Sequence, residues 1–224
     1  MPREPVATPA PAFVPSIGVM KAPFEDGFDR VVATSDAAPA GPGPDWAATM
    51  PGIWHVEGGR LCAERARNHG IWLRRVLPVN ARIEFDAVAT SPDGDLKAEY
   101  WGDGRSYATA LSYTNATSYL TILGGWHNEY HVLARLDEHG HDRKQIVVHP
   151  GSEDPREKPV VPGQIYHFEV ERSDGRTVRW WVDGNEMLSW NDAAPLAGMG
   201  HDHFGFNDWD AKVCFDNVKV VPLP

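Results

Sequence analysis

Gly200-His-Asp-His-Phe-Gly-Phe-Asn-Asp-Trp-Asp-Ala-Lys-Val-Cys-Phe-Asp-Asn-Val-Lys-Val-Val-Pro-Leu223 reads as two closing β-strands and the polar loop that joins them. Val213 and Phe215 alternate with polar neighbours, then the apolar phase slips and resumes at Val218 and Val220, with Asp216 and Asn217 consecutive between them. A one-residue slip in a period-two pattern marks a β-bulge, which leaves backbone groups unpaired and re-aims a side chain. Asp216 then becomes an exposed carboxylate beside free carbonyls. Two readings of it stand: a ligand of a hard cation such as calcium, or an aspartate that satisfies its own turn.

Outward from that stretch, the 224 residues suit a single large all-β domain with a tail. Nine tryptophans beside nineteen prolines and twenty-one glycines describe a turn-rich, aromatic-rich chain. A net charge of -10 argues against a nucleic-acid partner, whose phosphates demand a basic footprint. No apolar run is long enough for a membrane-spanning helix. Prolines at 2, 5, 9, 11 and 15 deny the start of the chain both helix and sheet pairing, so residues 1–23 are expected to form a disordered or extended tail before a domain over 24–224. Such a Pro/Ala-rich start suits the linker left after an export signal or lipid anchor is removed, and suits a cytoplasmic protein with a disordered start equally well.

Short runs bounded by Gly, Pro and Asn predict strands over 54–56, 60–64, 71–76, 81–89, 96–100, 108–113, 118–123, 131–136, 145–149, 164–172, 177–183, 186–190, 203–207 and 212–221. That spacing is the signature of a β-sandwich. Alternation turns Ile83, Phe85, Leu96, Ala98 and Tyr100 into the core, and Asp95, Lys97, Glu99 and Trp101 outwards. The Asp183-Gly184 turn predicts a hairpin with Val178, Trp180, Val182 and Met187 on one face and Arg179, Trp181, Leu188 and Trp190 on the other. Large apolar groups on both faces suggest that the second face is sheltered, as a groove floor would be.

Cys62 and Cys214 stand in separate predicted strands, and either a disulfide or two buried thiols fits them. Histidines at 127, 131, 139, 141, 149, 201 and 203 crowd the second half; with Glu138, Asp142, Arg135 and Arg143 they suit a polar substrate site better than a closed zinc site. Carboxylates on one strand face, Glu84 with Asp86 two apart and Asp95 with Glu99 on either side of Lys97, perturb one another's ionisation, as glycoside hydrolysis exploits. A solvated strand edge has the same pattern. There is no Gly-x-Ser-x-Gly elbow and no Gly-rich loop opening a helix, which sets aside serine-hydrolase and nucleotide readings.

Phe24-Glu-Asp-Gly-Phe28, Trp54-His-Val-Glu-Gly-Gly-Arg-Leu61, Ala81-Arg-Ile-Glu-Phe-Asp86, Tyr166-His-Phe-Glu-Val-Glu-Arg172, Trp181-Val-Asp-Gly184 and Phe215-Asp-Asn-Val-Lys-Val220 together resemble the concanavalin A-like lectin/glucanase superfamily. That two-sheet jelly roll is shared by legume lectins, family-sixteen glucanases and 3-keto-disaccharide hydrolase domains. The resemblance implies an antiparallel β-sandwich and a carbohydrate ligand. In the family-sixteen glucanases one strand carries Glu-x-Asp-x-(x)-Glu; Glu84 and Asp86 match it, while Val88 and Ala89 stand where the last glutamate belongs. The resemblance further implies a structural calcium held by Glu25 or Asp26 and by Asp216.

The expected site lies where the Glu99–Trp101 strand, the Trp126–His141 segment and the His201–Asp208 loop converge on a concave sheet. In an enzyme that cleaves or eliminates at a glycosidic bond, Glu99, Glu138 or His139 would act as acid or base. Trp101, Trp126 and Trp181 would stack on sugar faces, and Arg135, His201, His203, Asn207 and Asp208 would supply polar contacts. In the alternative, a non-catalytic glycan-binding or cell-surface interaction module, the same tryptophans would be the stacking platforms.

Overall fold

The computed structural model describes residues 18–30 and 41–224. Its strands are β1 (Phe24–Asp26), β2 (Trp46–Ala48), β3 (His55–Glu57), β4 (Arg60–Glu64), β5 (Ile71–Leu73), β6 (Ala81–Ala89), β7 (Leu96–Gly102), β8 (Tyr119–Gly124), β9 (Tyr130–Arg135), β10 (Lys144–Val147), β11 (Ile165–Arg172), β12 (Thr177–Val182), β13 (Asn185–Asn191), β14 (His203–Asn207) and β15 (Lys212–Pro222). They form two antiparallel sheets. One runs β13-β12-β11-β6-β15-β4-β3, with β1 also on β15; the other runs β10-β9-β8-β7-β14-β5-β2. Strand makes up 45% and helix 4% of the described residues, as the turn-punctuated sequence demands.

The core lies between the sheets. Ile83, Phe85 and Ala87 of β6 meet Leu96, Ala98 and Tyr100 of β7 through Phe204 and Phe206 of β14 and Phe215 of β15. Phe206 stacks on Phe215 at 4.0 Å between ring centres, with Phe85 edge-on to Phe206 at 5.0 Å. Rings in offset and edge-on contact add to the burial that holds two sheets together. The phase slip read in β15 is a register shift between Asp216 and Lys219, with Asn217 in the left-handed region at φ 51.

Several expectations need correction. Residues 108–113 form no strand; they belong to a long segment, 103–118, that crosses the outer face of the seven-stranded sheet. Trp101 points inwards. The pairing of β7 with β14 jumps from Tyr100 to Gly102, and Trp101, at φ 53, is the extra residue whose side chain the bulge sends into the core. There it is fully buried, with the Arg172 guanidinium 3.9 Å from its ring centre. In the β12/β13 hairpin, pairing shifts between Trp180 and Trp181, so Trp190 lies opposite Val178 on the core side. The outer face of that hairpin carries exposed Arg179, Glu186 and Ser189 beside half-buried Trp181. Cys62 and Cys214, paired in register on β4 and β15, form a disulfide, which resolves the open choice against free thiols. The tail expected over 1–23 lies, for residues 1–17, outside the described residues. Beyond them Val19 bridges Val76 and Met20 is buried, so packing begins before Phe24.

Candidate functional site

Lys97 and Glu99 are outward positions of β7, with Asp95 just before it, and outward positions of a sheet face water unless something covers them. Here Lys97 is 2% exposed and Glu99 fully buried, because segment 103–118 and the loop after β9 lie over them. Leu136 turns the chain at φ 64, and Glu138 returns across the sheet to give its backbone N–H to Tyr113 O at 3.2 Å. Its carboxylate thereby reaches Lys97: Oε2 accepts from Lys97 Nζ at 2.9 Å, while Oε1 accepts from Tyr113 N at 3.2 Å and lies 3.3 Å from His139 Nε2. Lys97 Nζ also donates to Asn68 Oδ1 at 2.8 Å. One layer along, Glu99 accepts from Ser118 Oγ at 2.6 Å, Tyr113 OH at 3.2 Å and Asn207 Nδ2 at 2.6 Å.

These surroundings split the ionisation of the acids. Burial drives Glu99 up to about 7, against the lowering effect of Ser118, Asn207 and Tyr113. Burial also raises Asp95 and Asp208, whose carboxylates lie close enough to oppose each other's charge. Glu138 goes the other way: burial would raise it, but the charge and hydrogen bond of Lys97 outweigh that and hold it below the usual carboxylate range. Burial alone would lower Lys97, but Asp95 and Glu138 push it well above its ordinary value, so it stays an ammonium. Asn68 Nδ2 and Asp208 Oδ1 are buried without a hydrogen bond.

A cleft of about 280 Å³ opens above this layer. Lys97, Glu138 and Asp95 lie at its base, with Trp126, Trp209 and His139 on its walls. Trp126 stands on a left-handed turn after β8, in which Trp126, His127 and Asn128 have φ of 52, 57 and 64. Gly124 makes that turn possible, since a Cβ there would meet Asn128 Oδ1. Arg143 covers the Trp126 ring at 4.5 Å, His139 meets it edge-on at 5.4 Å, and Arg67 lies 4.6 Å from the ring centre of Trp209.

The residues singled out in the sequence divide accordingly. Glu138, His139 and Trp126 come together at the cleft; Glu99, Asn207 and Asp208 form the sealed layer behind it. The others lie elsewhere. Arg135 faces inwards and ties the sheets together, donating to Asp192 Oδ2 at 2.6 Å and Ala194 O at 2.9 Å. Trp181 is on the outer face of the other sheet, opposite Glu169. His201 Nδ1 donates to Thr117 O at 2.7 Å and His203 Nδ1 bonds Asp202 Oδ1 at 2.7 Å, so both fasten loops. Glu84 and Asp86 sit on β6, also on the other sheet, where Asp86 accepts from Asn217 Nδ2 at 2.8 Å and pairs with His167.

Glu25, Asp26 and Asp216, the residues implied as calcium ligands, each have a basic side chain nearby. Asp26 is taken by Arg30 and Trp46 Nε1, Glu25 lies 3.6 Å from Lys219, and Asp216 lies 3.9 Å from Arg60. Among the described residues no group of three His, Cys, Asp or Glu side chains is arranged to hold a metal. Lys97, Trp209, Tyr113, Ser118 and Asn68 escaped the sequence reading as site residues. For Lys97 and Asp95 the signal was present in the outward alternation of β7; for Tyr113 it was hidden inside an apolar run that resembles a strand.

No protein-family model matches the sequence, and no curated protein does. Solved structures do resemble the fold. The carbohydrate-binding module CBM66 from Bacillus subtilis is 16% identical, with a TM-score of 0.54 over 78% of this chain and 94% of that one. A β-glucanase from Bacillus licheniformis is 9% identical, with a TM-score of 0.54 over 90% of this chain and 98% of that one. An alginate lyase bound to an alginate tetrasaccharide gives 9%, 0.54, 90% and 97%. The fold is therefore the two-sheet antiparallel β-sandwich of jelly-roll type expected from the sequence. At these identities the likeness speaks for architecture and not for chemistry.

Proposed function

We propose that the chain is a carbohydrate-active protein that binds a saccharide in the cleft above Lys97 and cleaves a glycosidic bond there. The observation that carries this reading is the opposite displacement of two carboxyl groups at the cleft base. Burial raises Asp95, whereas the charge and hydrogen bond of Lys97 lower Glu138. Carboxyls whose environments drive them apart are what acid and base roles require. In hydrolysis Asp95 passes its proton to the glycosidic oxygen as the C–O bond breaks, and Glu138 takes a proton from the water that attacks the anomeric carbon. One fragment leaves with a new reducing end. Trp126 and Trp209 offer flat apolar faces to sugar rings. Glu99, sealed away from the cleft, touches no substrate; it positions Asn207, Ser118 and Tyr113.

A second reading, a non-catalytic binding module, is favoured by one observation: both oxygens of Glu138 are already engaged by Lys97, Tyr113 and His139. Incubation with a panel of neutral and acidic polysaccharides separates the two. New reducing ends that disappear in Asp95→Asn and Glu138→Gln support the enzyme; saturable binding without turnover supports the module; unsaturated products would replace hydrolysis by elimination. The disulfide supports an exported location, since such bonds persist in oxidising compartments. No described helix is long and apolar enough to cross a membrane.

A further inference from the structure

A groove that carries a polymer across a sheet takes its floor from the outward side chains of successive strands. On β5, β14, β7, β8 and β9 of the seven-stranded sheet those positions are closed. Trp72 on β5, Asn207 on β14, Glu99 on β7, Leu120 on β8 and Val132 and Ala134 on β9 are each at most 1% exposed. The segment 103–118 closes them, and it is fastened at several points. Ser106 O accepts from Trp72 Nε1 at 3.1 Å, Ala108 N donates to Asn68 O at 3.1 Å, and Asp103 N donates to Thr117 Oγ1 at 3.0 Å. Ala108, Tyr113 and Ala116 then pack on Leu120, Ile122, Val132 and Ala134 as a second small core.

This strap is not a lid. Lifting it would expose that apolar cluster, strip Glu99 of the Tyr113 hydroxyl and Glu138 of the Tyr113 N–H. Burial of such groups is what makes a segment cooperative with the rest of the fold and not a locally opening loop. The strap also frames the opening that remains: Ser112 and Leu111 line the cleft, and Leu111 is left 77% exposed at its lip. A cleft of about 280 Å³ is at the small end for ligand sites. It has room for the end of a saccharide.

We propose that the cleft recognises the terminus of a glycan chain, and that the strap 103–118 is the element that imposes this by filling the face along which an internal stretch of polymer would lie. This rests on the saccharide reading of the cleft, and its outcome can be told apart from that reading's. Cello-, laminari- and chito-oligosaccharides from dimer to octamer are titrated against the intact protein by tryptophan fluorescence, each also with its reducing end reduced to the alditol or its non-reducing end methylated. End recognition gives a Kd per mole of chain that changes by no more than about twofold from trimer to octamer, and one of the two end modifications abolishes binding. A Kd that falls steadily with length, or binding indifferent to both modifications, overturns the inference while leaving the cleft a saccharide site. Absence of binding by every oligosaccharide and by the panel of polysaccharides would sink the saccharide reading itself, and end recognition with it.

Discussion

Lys97 Nζ donates to Glu138 Oε2 at 2.9 Å with side-chain exposures of 2% and 7%, which makes this a buried ion pair at the base of an open cleft. Such a pair adds little net stability over an apolar pair, but removing one partner strands the other charge. Lys97→Met is therefore expected to lose about 3–5 kcal/mol of unfolding free energy. The double variant Lys97→Met/Glu138→Leu should recover at least half of that loss. Urea denaturation measures both, and a single variant as stable as the parent would show that Glu138 is not committed to Lys97.

Glu99 makes stability fall as pH rises. Its folded-state value is raised by burial from the usual 4.5 to about 7. Below the unfolded value both states hold the proton and Glu99 contributes no slope. Between 4.5 and about 7 the unfolded chain has released it and the folded chain has not, so the folded state is progressively penalised. The full penalty is on the order of 3 kcal/mol. Burial lowers His131 to about 4, which gives the opposite slope, but both proteins carry it and it cancels in a difference. The wild-type minus Glu99→Gln stability difference should fall across that window; a flat difference would mean that the carboxyl is ionised in the fold.

The disulfide closes a loop of 152 residues between neighbouring strands. Losing it through Cys62→Ala/Cys214→Ala should cost about 2–5 kcal/mol. Thermal unfolding of the wild type with and without reductant should reproduce most of that difference. Alkylation of both thiols in native, unreduced protein would contradict the pairing.

The sandwich was legible because alternation and turn residues are local signals. Ile83 and Phe85 face the core, and the slip at Asp216-Asn217 is a bulge, as period-two patterning implies. Trp101 was misread for the converse reason: one left-handed residue reverses every facing after it, and nothing in the residues near Trp101 announces φ 53. At the site, Glu138, His139 and Trp126 lay within one polar, aromatic stretch and were found by density of chemistry. Tyr113 was lost because Ala108–Tyr113 has the composition of a strand while its hydrogen bonds go to Asn68, Glu99 and Glu138. Arg135 was misplaced because its charge suggested a ligand, whereas its parity on β9 sends it to Asp192. Contacts between segments far apart in sequence decide such cases.

The location of the saccharide site is tested most directly by tryptophan replacement. Trp126→Ala, Trp209→Ala and Trp181→Ala are each titrated, with fluorescence or calorimetry, against an oligosaccharide that binds the wild type. Loss of a ring at a sugar platform should weaken binding by about tenfold, or 1.4 kcal/mol. The expected result is that loss for Trp126→Ala and Trp209→Ala and unchanged affinity for Trp181→Ala. Unchanged affinity in both cleft variants, with binding lost in Trp181→Ala, would move the site to the outer face of the eight-stranded sheet and contradict the account.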